Sequence, residues 1–116
     1  MKPIEPMTIQ RQLDLWIDTP LYVHLETTNG AYASHKNGGM LSAGAFFRNA
    51  EIRYERAKIT GEGPYRAGLE TEMGWLYAEG LTDWTMQDEE TMLLAGHDDL
   101  GKLAVALQLS KRPFAK

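Results

Sequence analysis

The sequence predicts a mostly β domain that carries one N-terminal amphipathic helix. Two observations lead to this prediction: β-branched and aromatic residues dominate after Pro20, and 11 glycines recur along the same stretch. Short strands between glycine-rich turns are typical of an antiparallel barrel or sandwich. The length of 116 residues and the apolar content of 43% fit one globular domain. We therefore expect a single domain over residues 1–116, folded as a small barrel or barrel-like sandwich of about seven or eight strands.

The helix is predicted over residues 6–18. Its apolar residues recur at the spacing of one helix face: Ile9, Leu13, Trp16 and Ile17. Thr8 is the predicted N-cap, because a side-chain hydroxyl can accept from the free backbone N–H groups of the first turn. Thr19-Pro20 should end the helix, since the residue before a proline avoids the α region. The apolar face is expected to pack against a sheet.

Eight strands are predicted after the helix. They are the apolar or alternating runs between turn residues, at 21–28, 31–36, 43–48, 50–60, 65–72, 74–82, 91–97 and 102–109. Asn29-Gly30 predicts a tight hairpin turn between the first two. Residues 61–64 (Gly-Glu-Gly-Pro) and 98–101 (Asp-Asp-Leu-Gly) are further predicted turns, and the second of them joins another hairpin. Gly68 and Gly74 lie inside strand-like runs, where they predict bulges or sharp bends.

Composition excludes several classes of function. The formal net charge of −4 argues against nucleic-acid binding, which normally uses a basic surface to neutralise phosphates. The chain has no cysteine, which excludes disulfides, thiolate metal ligands and cysteine nucleophiles. No apolar run approaches the ~20 residues of a membrane-spanning helix, and the N-terminus lacks the apolar core of a signal peptide. We expect a cytoplasmic protein without nucleic-acid or membrane partners.

The Asn29-Gly30 turn predicts which side chains face each other across the first hairpin. Counting outward from a two-residue type I′ turn places His24 opposite His35, with Glu26 on the same face. Directly opposed Cβ atoms lie ~5 Å apart, close enough for two imidazoles to bind one ion. The core would take the other face of the first strand, which carries Leu21, Val23 and Leu25.

A divalent metal site is one interpretation of this geometry. His24 and His35 would be ligands, and His97 and Glu26 would supply a further ligand or a base. However, the chain has no metal motif such as H-E-x-x-H, and histidines are common on solvated sheet faces. We therefore favour paired surface histidines or a histidine–carboxylate hydrogen bond, and we predict no cofactor.

A second cluster is basic and aromatic. Arg48, Arg53, Tyr65 and Arg66 flank the predicted 61–64 turn and form a candidate site for a small anionic ligand, because arginine forks bind carboxylates and phosphates. Glutamates are interleaved with these arginines, so cross-strand ion pairs explain the pattern more economically. Three further aromatic residues have strand spacing and are expected mainly in the core: Trp75, Tyr77 and Trp84.

Seven segments carry a family resemblance: residues 24–35 (HLETTNGAYASH), 42–46 (SAGAF), 48–50 (RNA), 63–66 (GPYR), 74–75 (GW), 77–81 (YAEGL) and 94–98 (LAGHD). Together they resemble the YojF-like family of small bacterial proteins, over nearly the whole chain. The resemblance implies a compact, mostly β fold and supplies no catalytic residues. Members of that family tend to be encoded beside a deacetylase of the kind used in bacillithiol synthesis. That context implies an accessory role in low-molecular-weight thiol metabolism.

These expectations favour a non-enzymatic binding or accessory protein. We expect a cytosolic homodimer, since exposed strand edges invite pairing between subunits. Its ligand would be a partner protein, with a deacetylase as the candidate, or a small polar molecule. The alternative is a small metal-dependent hydrolase in which His24, His35 and His97 bind the metal and Glu26 is the base.

Overall fold

The computed structural model describes residues 1–29 and 43–116. Within these ranges the chain forms one helix and nine strands, which follow in the order β1 (Lys2–Pro3), α1 (Pro6–Leu15), β2 (Leu21–Asn29), β3 (Ala43–Ile52), β4 (Tyr54–Thr60), β5 (Tyr65–Thr71), β6 (Trp75–Leu81), β7 (Asp83–Asp88), β8 (Thr91–His97) and β9 (Leu103–Ser110). The predicted mostly β architecture with a single N-terminal helix is confirmed for this part of the chain. No helix in it is long and apolar enough to cross a bilayer.

The strands form two antiparallel sheets. The large sheet has the order β1-β7-β8-β9-β2-β3, and the small sheet has the order β4-β5-β6. β6 packs across β8 and β9, while α1 packs on β4. Fully buried leucines from both sheets meet in the core: Leu21, Leu69, Leu81, Leu94 and Leu107. The described strands therefore make a barrel-like sandwich in which neither sheet closes on itself.

The helix is shorter than predicted, and its end has a different cause. The amides of Trp16 and Ile17 bond to carbonyls three residues back, so that α1 tightens into a turn after Leu15. Asp18 then takes a left-handed conformation with φ 59° and donates its amide to the carbonyl of Tyr54. Strand β4 therefore ends the helix before Pro20 is reached.

The start of the helix also differs from the prediction. The N-cap position is occupied by Glu5, and Thr8 lies inside the first turns, where its hydroxyl donates to the Glu5 carboxylate at 3.2 Å. The side chain of Gln10 faces β4 and bonds its backbone at two points. Its Nε2 donates to the carbonyl of Ala57 at 2.8 Å, and its Oε1 accepts from the amide of Ile59 at 3.0 Å.

The predicted hairpin at Asn29-Gly30 has its second arm, residues 31–36, outside the described residues. In β2, the backbone partners of His24 are Arg48 on β3 and Gln108 on β9. Both edges of β2 are occupied at this position. The prediction that His24 pairs with His35 across a hairpin is therefore wrong, because β3 and β9 occupy both edges of β2 at His24.

The later elements follow the prediction more closely. The β8–β9 hairpin is confirmed, and its turn is built by Asp98, whose Oδ1 accepts from the amides of Leu100 and Lys102. Gly68 does not form the bulge that was one of its two predicted roles, because it pairs in register with Lys58 and Tyr77. The irregularity in the pairing of β5 with β6 lies between Tyr65 and Ala67. Gly74 lies in the turn between β5 and β6. The strands β1 and β7 were not predicted, because β1 has two residues and β7 is polar along much of its length.

The chain passes from the small sheet to the large one directly after β6. There the backbone of Gly80 lies against Gly96 on β8, so closely that a Cβ at Gly96 would be 2.0 Å from the Gly80 carbonyl oxygen. Two residues later the amide of Thr82 donates to the carbonyl of Ala95 at 2.8 Å. Gly96 is therefore a position at which the backbones of the two sheets come into close contact.

We expect Gly96→Ala to destabilise the protein by roughly 3 kcal/mol or more, because the added methyl group has to displace backbone. Gly74→Ala is the matched control, since a Cβ at Gly74 meets nothing within 4 Å. That control should change the free energy of unfolding by no more than about 0.5 kcal/mol. Urea denaturation measures both. Equal midpoints for the two variants would contradict this account of the sheet contact.

Candidate functional site

His24 is a buried residue on β2, with a relative exposure of 7%. Its ring is edge-on to Phe46, at 5.0 Å between centroids, and to Phe114 at 6.2 Å. The solvated face predicted for this histidine is therefore wrong. The register shift between β2 and β3 at this point leaves β2 regular, because the extra residue is Asn49 on β3 and the pairing of β2 with β9 runs through His24 without a shift. His24 is therefore buried because the rings of Phe46 and Phe114 lie against it.

Arg48 on β3 lies beside this ring. Its terminal nitrogen is 3.0 Å from Nδ1 of His24, and because a guanidinium can only donate, Nδ1 is the acceptor. The Nε of Arg48 donates to the carbonyl of Ala115, and its guanidinium carbon lies 5.1 Å from the centre of the Phe114 ring. The predicted anion ligand Arg48 and the predicted metal ligand His24 are thus neighbours that hold the C-terminal residues.

Asn49 completes this contact. Its Nδ2 donates to the carbonyl of Phe114 and its Oδ1 accepts from the amide of Phe114, both at 2.7 Å. The side-chain amide therefore pairs with the backbone as a neighbouring strand would. Asn49 has a φ of 63°, a conformation that asparagine tolerates better than most residues. We call His24, Arg48, Asn49, Phe114 and Ala115 the tail clamp.

The tail clamp favours the neutral form of His24. Burial lowers the pKa of His24, the positive charge of Arg48 lowers it further, and the carboxylate of Glu26 opposes both. Glu26 is two residues along β2 from His24 and therefore on the same face of that strand. A neutral imidazole with Nδ1 accepting is what the hydrogen bond from Arg48 requires.

The predicted metal set is not brought together by the described strands. His97 pairs with Leu103 on β9, whereas His24 pairs with Gln108. Five residues at ~3.3 Å each separate these two positions, so the histidines lie roughly 16 Å apart along the sheet. Among residues 1–29 and 43–116, no group of three or more His, Cys, Asp or Glu could hold a metal ion. His35 lies outside the described residues.

His97 has its own acidic partner. Its Nδ1 lies 3.2 Å from Oδ1 of Asp83, and the Thr82 hydroxyl donates to the same oxygen at 2.6 Å. The hydrogen bond from Thr82 is the main cause that lowers the pKa of Asp83, with a smaller contribution from His97. This arrangement is the histidine–carboxylate hydrogen bond that the sequence favoured, although it involves His97.

The four predicted anion ligands are also dispersed. Arg48 belongs to the tail clamp on the large sheet, and Arg53 is exposed between β3 and β4. Tyr65 is half-buried against the core. Arg66 lies on the outer face of the small sheet, where it forms an ion pair with Glu79 at 2.9 Å. Arg56 pairs similarly with Glu70 at 3.1 Å, so the cross-strand ion pairs that the sequence favoured are present.

The outer face of the small sheet carries a second cluster. Its members are Arg56 on β4, Arg66 on β5 and Trp75 and Tyr77 on β6, and we call these four residues the Arg–aromatic surface. The two rings are stacked 5.3 Å apart with 4° between their planes. The guanidinium carbon of Arg56 lies 5.3 Å from the centre of the Trp75 ring, and that of Arg66 lies 3.7 Å from the centre of the Tyr77 ring.

A glycine makes room for this stack. Gly68 is the register partner of Tyr77, and a Cβ there would lie 3.0 Å from the Tyr77 ring and 3.5 Å from the Trp75 ring. Both aromatic residues are exposed, with relative exposures of 41% for Trp75 and 43% for Tyr77. The prediction that they build the core is therefore wrong, whereas Trp84 is buried as predicted. The strict alternation of Trp75, Tyr77 and Glu79 on one face indicates this outward direction.

Comparison with known proteins places this architecture in a family. Residues 3–114 match the family described as "Protein of unknown function (DUF1806)". The chain belongs to this family. It is 50% identical over 114 residues to the "Uncharacterized protein YojF" of Bacillus subtilis (strain 168), with 98% of each chain covered. It also matches the solved structure titled "Crystal Structure of Bacillus subtilis YojF protein" with a TM-score of 0.81 and 47% identity, over 99% of this chain and 97% of that one.

The predicted family resemblance is thus confirmed for this DUF1806 protein. The family description carries no activity, so the residues alone must support any functional proposal. Of the two clusters, the tail clamp uses its polar side-chain atoms for hydrogen bonds within the chain. The Arg–aromatic surface presents large side chains to solvent.

In this DUF1806 chain, Asn49→Gly should release the C-terminal residues. The variant loses both hydrogen bonds to Phe114 but still accommodates a positive φ. We expect faster digestion by a carboxypeptidase and a loss of about 1–2 kcal/mol in the free energy of unfolding. Asn49→Asp keeps the acceptor oxygen and should give an intermediate rate. A digestion rate equal to that of the wild type would show that the tail clamp does not hold the tail.

The lowered pKa of His24 makes stability depend on pH in a defined direction. Below about pH 6.5 the unfolded histidine binds a proton more readily than the buried one, so the free energy of unfolding falls as the pH drops. The stabilisation is complete above the unfolded pKa and is lost as the pH falls through the lower folded pKa. Urea titrations between pH 8 and pH 5 should show this slope, and His24→Gln should reduce it. An unchanged slope in His24→Gln would contradict the assignment.

Proposed function

We propose that this chain is a cytosolic, non-enzymatic binding or accessory protein that uses the Arg–aromatic surface to contact a partner protein. The observation that carries the proposal is the exposed stack of Arg56, Trp75, Tyr77 and Arg66. Tryptophan, tyrosine and arginine dominate the binding energy of protein interfaces. Stacking also restricts these side chains before binding, which reduces the entropy that an interface costs.

Apolar residues next to the surface extend the proposed contact area. Met73 is exposed in the turn that precedes Trp75, and Met7 is exposed on α1. Between α1 and β4 runs an open groove of about 490 Å³, lined by Met7, Gln10 and Arg56 among others. Methionine and aromatic residues are enriched in protein interfaces, so this composition fits a protein partner better than a small polar ligand.

The same proposal includes a homodimer formed through β3. Among the strands of residues 1–29 and 43–116, this one is the last in the order of the large sheet, and it exposes Phe46 by 63% and Phe47 by 55%. An edge strand with exposed aromatic residues favours pairing with another strand, and antiparallel pairing with its own copy satisfies two-fold symmetry. The family context makes a bacillithiol-pathway type of deacetylase the first partner to test.

Light scattering of the purified protein should give twice the chain mass of 13.1 kDa. Phe46→Lys should shift the mass towards the monomer, because an inserted charge opposes edge pairing. Trp75→Ala should keep the dimer but weaken binding to the deacetylase in biolayer interferometry by tenfold or more, as expected for a loss of at least about 1.4 kcal/mol.

Leu100→Ala is the matched control, since Leu100 is a large exposed residue in the β8–β9 turn and lies outside both proposed interfaces. It should change neither measurement. A monomeric wild-type mass would refute the homodimer. Equal deacetylase binding by wild type and Trp75→Ala would refute the Arg–aromatic surface as the partner site.

A further inference from the structure

The arginines of the Arg–aromatic surface are oriented before anything binds them. Each guanidinium lies against a ring, and each uses Nε for its ion pair: Arg56 with Glu70 and Arg66 with Glu79. Nε is on one edge of the guanidinium group, while the two terminal nitrogens form the fork that binds a carboxylate with two parallel hydrogen bonds. The ion pairs therefore set the orientation of both arginines without using the forks.

Solvent reaches both arginine side chains. Their relative exposures are 65% for Arg56 and 46% for Arg66, although each is paired and stacked. A flexible surface arginine loses side-chain freedom when it binds, and a stacked, paired arginine has lost most of it beforehand. These two arginines should therefore bind a carboxylate more tightly than an isolated surface arginine would.

Lys58 adds a cation between the two arginines. It is the register partner of Gly68, which in turn faces Tyr77, so its position on the outer face lies between the rows of Arg56 and Arg66. Within the described ranges, Lys58 forms no ion pair that would neutralise it. Glu70 and Glu79 are already paired with the two arginines, so Lys58 is a further cation on this face that a carboxylate of a ligand can approach.

The spacing of the forks defines the ligand further. Arg56 pairs in register with Glu70, and Arg66 lies four residues along β5 from Glu70. At ~3.3 Å per residue, the two rows are roughly 13 Å apart. Two carboxylates on the same side of an extended segment, separated by three residues, have the same spacing.

We propose that the Arg–aromatic surface binds an acidic, extended segment of a partner protein, with one carboxylate on the fork of Arg56, a second on the fork of Arg66 and Lys58 between them. This proposal rests on the proposed function and gives the chemistry of its partner. The apolar edges of Trp75 and Tyr77 would contact the aliphatic parts of the segment between its two acidic residues.

A fluorescein-labelled peptide of about twelve residues, with two glutamates separated by three residues, tests the proposal by fluorescence anisotropy. The wild-type protein should bind it, and should bind its double-glutamine twin at least tenfold more weakly, because both charge-assisted forks are lost. Rising salt should weaken binding of the glutamate peptide. Equal affinity for the two peptides would overturn the proposal.

Arg66→Lys keeps the charge but removes the fork, and it should weaken peptide binding roughly tenfold. Arg112→Lys is the matched control, because Arg112 is an exposed arginine that pairs with Asp88 and Glu90 away from this face. It should leave the affinity within about twofold. Equal losses in both variants would overturn the proposal, as would tighter binding of a single-stranded oligonucleotide than of the acidic peptide.

The outcome separates this inference from the proposed function. If Trp75→Ala loses deacetylase binding but the wild-type protein does not bind the acidic peptide, the partner site is supported and the proposal that its ligand is an acidic segment is refuted. Binding of the peptide in a protein that captures no deacetylase would support the acidic chemistry and refute that partner.

Discussion

The contact between Gly96 and Gly80 is the constraint on which the rest of this architecture depends. Because Gly96 has no side chain, the backbone of β6 approaches β8 closely enough for the chain to cross from one sheet to the other. The inner faces of the sheets then close on a core of aliphatic and aromatic side chains. The outer face of the small sheet is consequently left to charged and aromatic side chains. The candidate binding surface is thus a product of the same contact that forms the core.

Side-chain amides pair with the backbone at two places in this fold. Gln10 pairs with the backbone of β4 at Ala57 and Ile59, and Asn49 pairs with the backbone of Phe114. In each case one amide supplies both a donor and an acceptor, as a neighbouring strand would. Gln10 thereby reduces the tendency of the β4 edge to recruit another chain, and Asn49 fixes the tail beside the second half of β3. The exposed Phe46 and Phe47 precede Asn49 and lie in the first half of β3. This division explains why we place the dimer contact at the first half of that strand.

The parts of the fold that the sequence predicts are those determined by local pattern. The β8–β9 hairpin follows from two apolar runs around a turn whose Asp98 bonds its own neighbours, and the bounds of β8 were predicted correctly. β7 was not predicted, because its polar residues become a strand only through pairing with β8. The end of α1 depends on the distant Tyr54, and the burial of His24 depends on a ring from β3 and on a tail 90 residues away. None of these long-range contacts has a local pattern.

The candidate site was only partly predictable for the same reason, as two arginines illustrate. Arg48 and Arg66 both lie against an aromatic ring, and the sequence placed them in one anion site. The tertiary structure separates their roles. Arg48 donates to His24 and to the backbone of Ala115, so its hydrogen-bonding capacity serves the fold. Arg66 is held by one carboxylate through Nε and keeps nearly half of its surface exposed. What distinguishes a structural arginine from a binding one here is therefore the position of its polar neighbours, because those neighbours decide whether the fork is still available to a ligand.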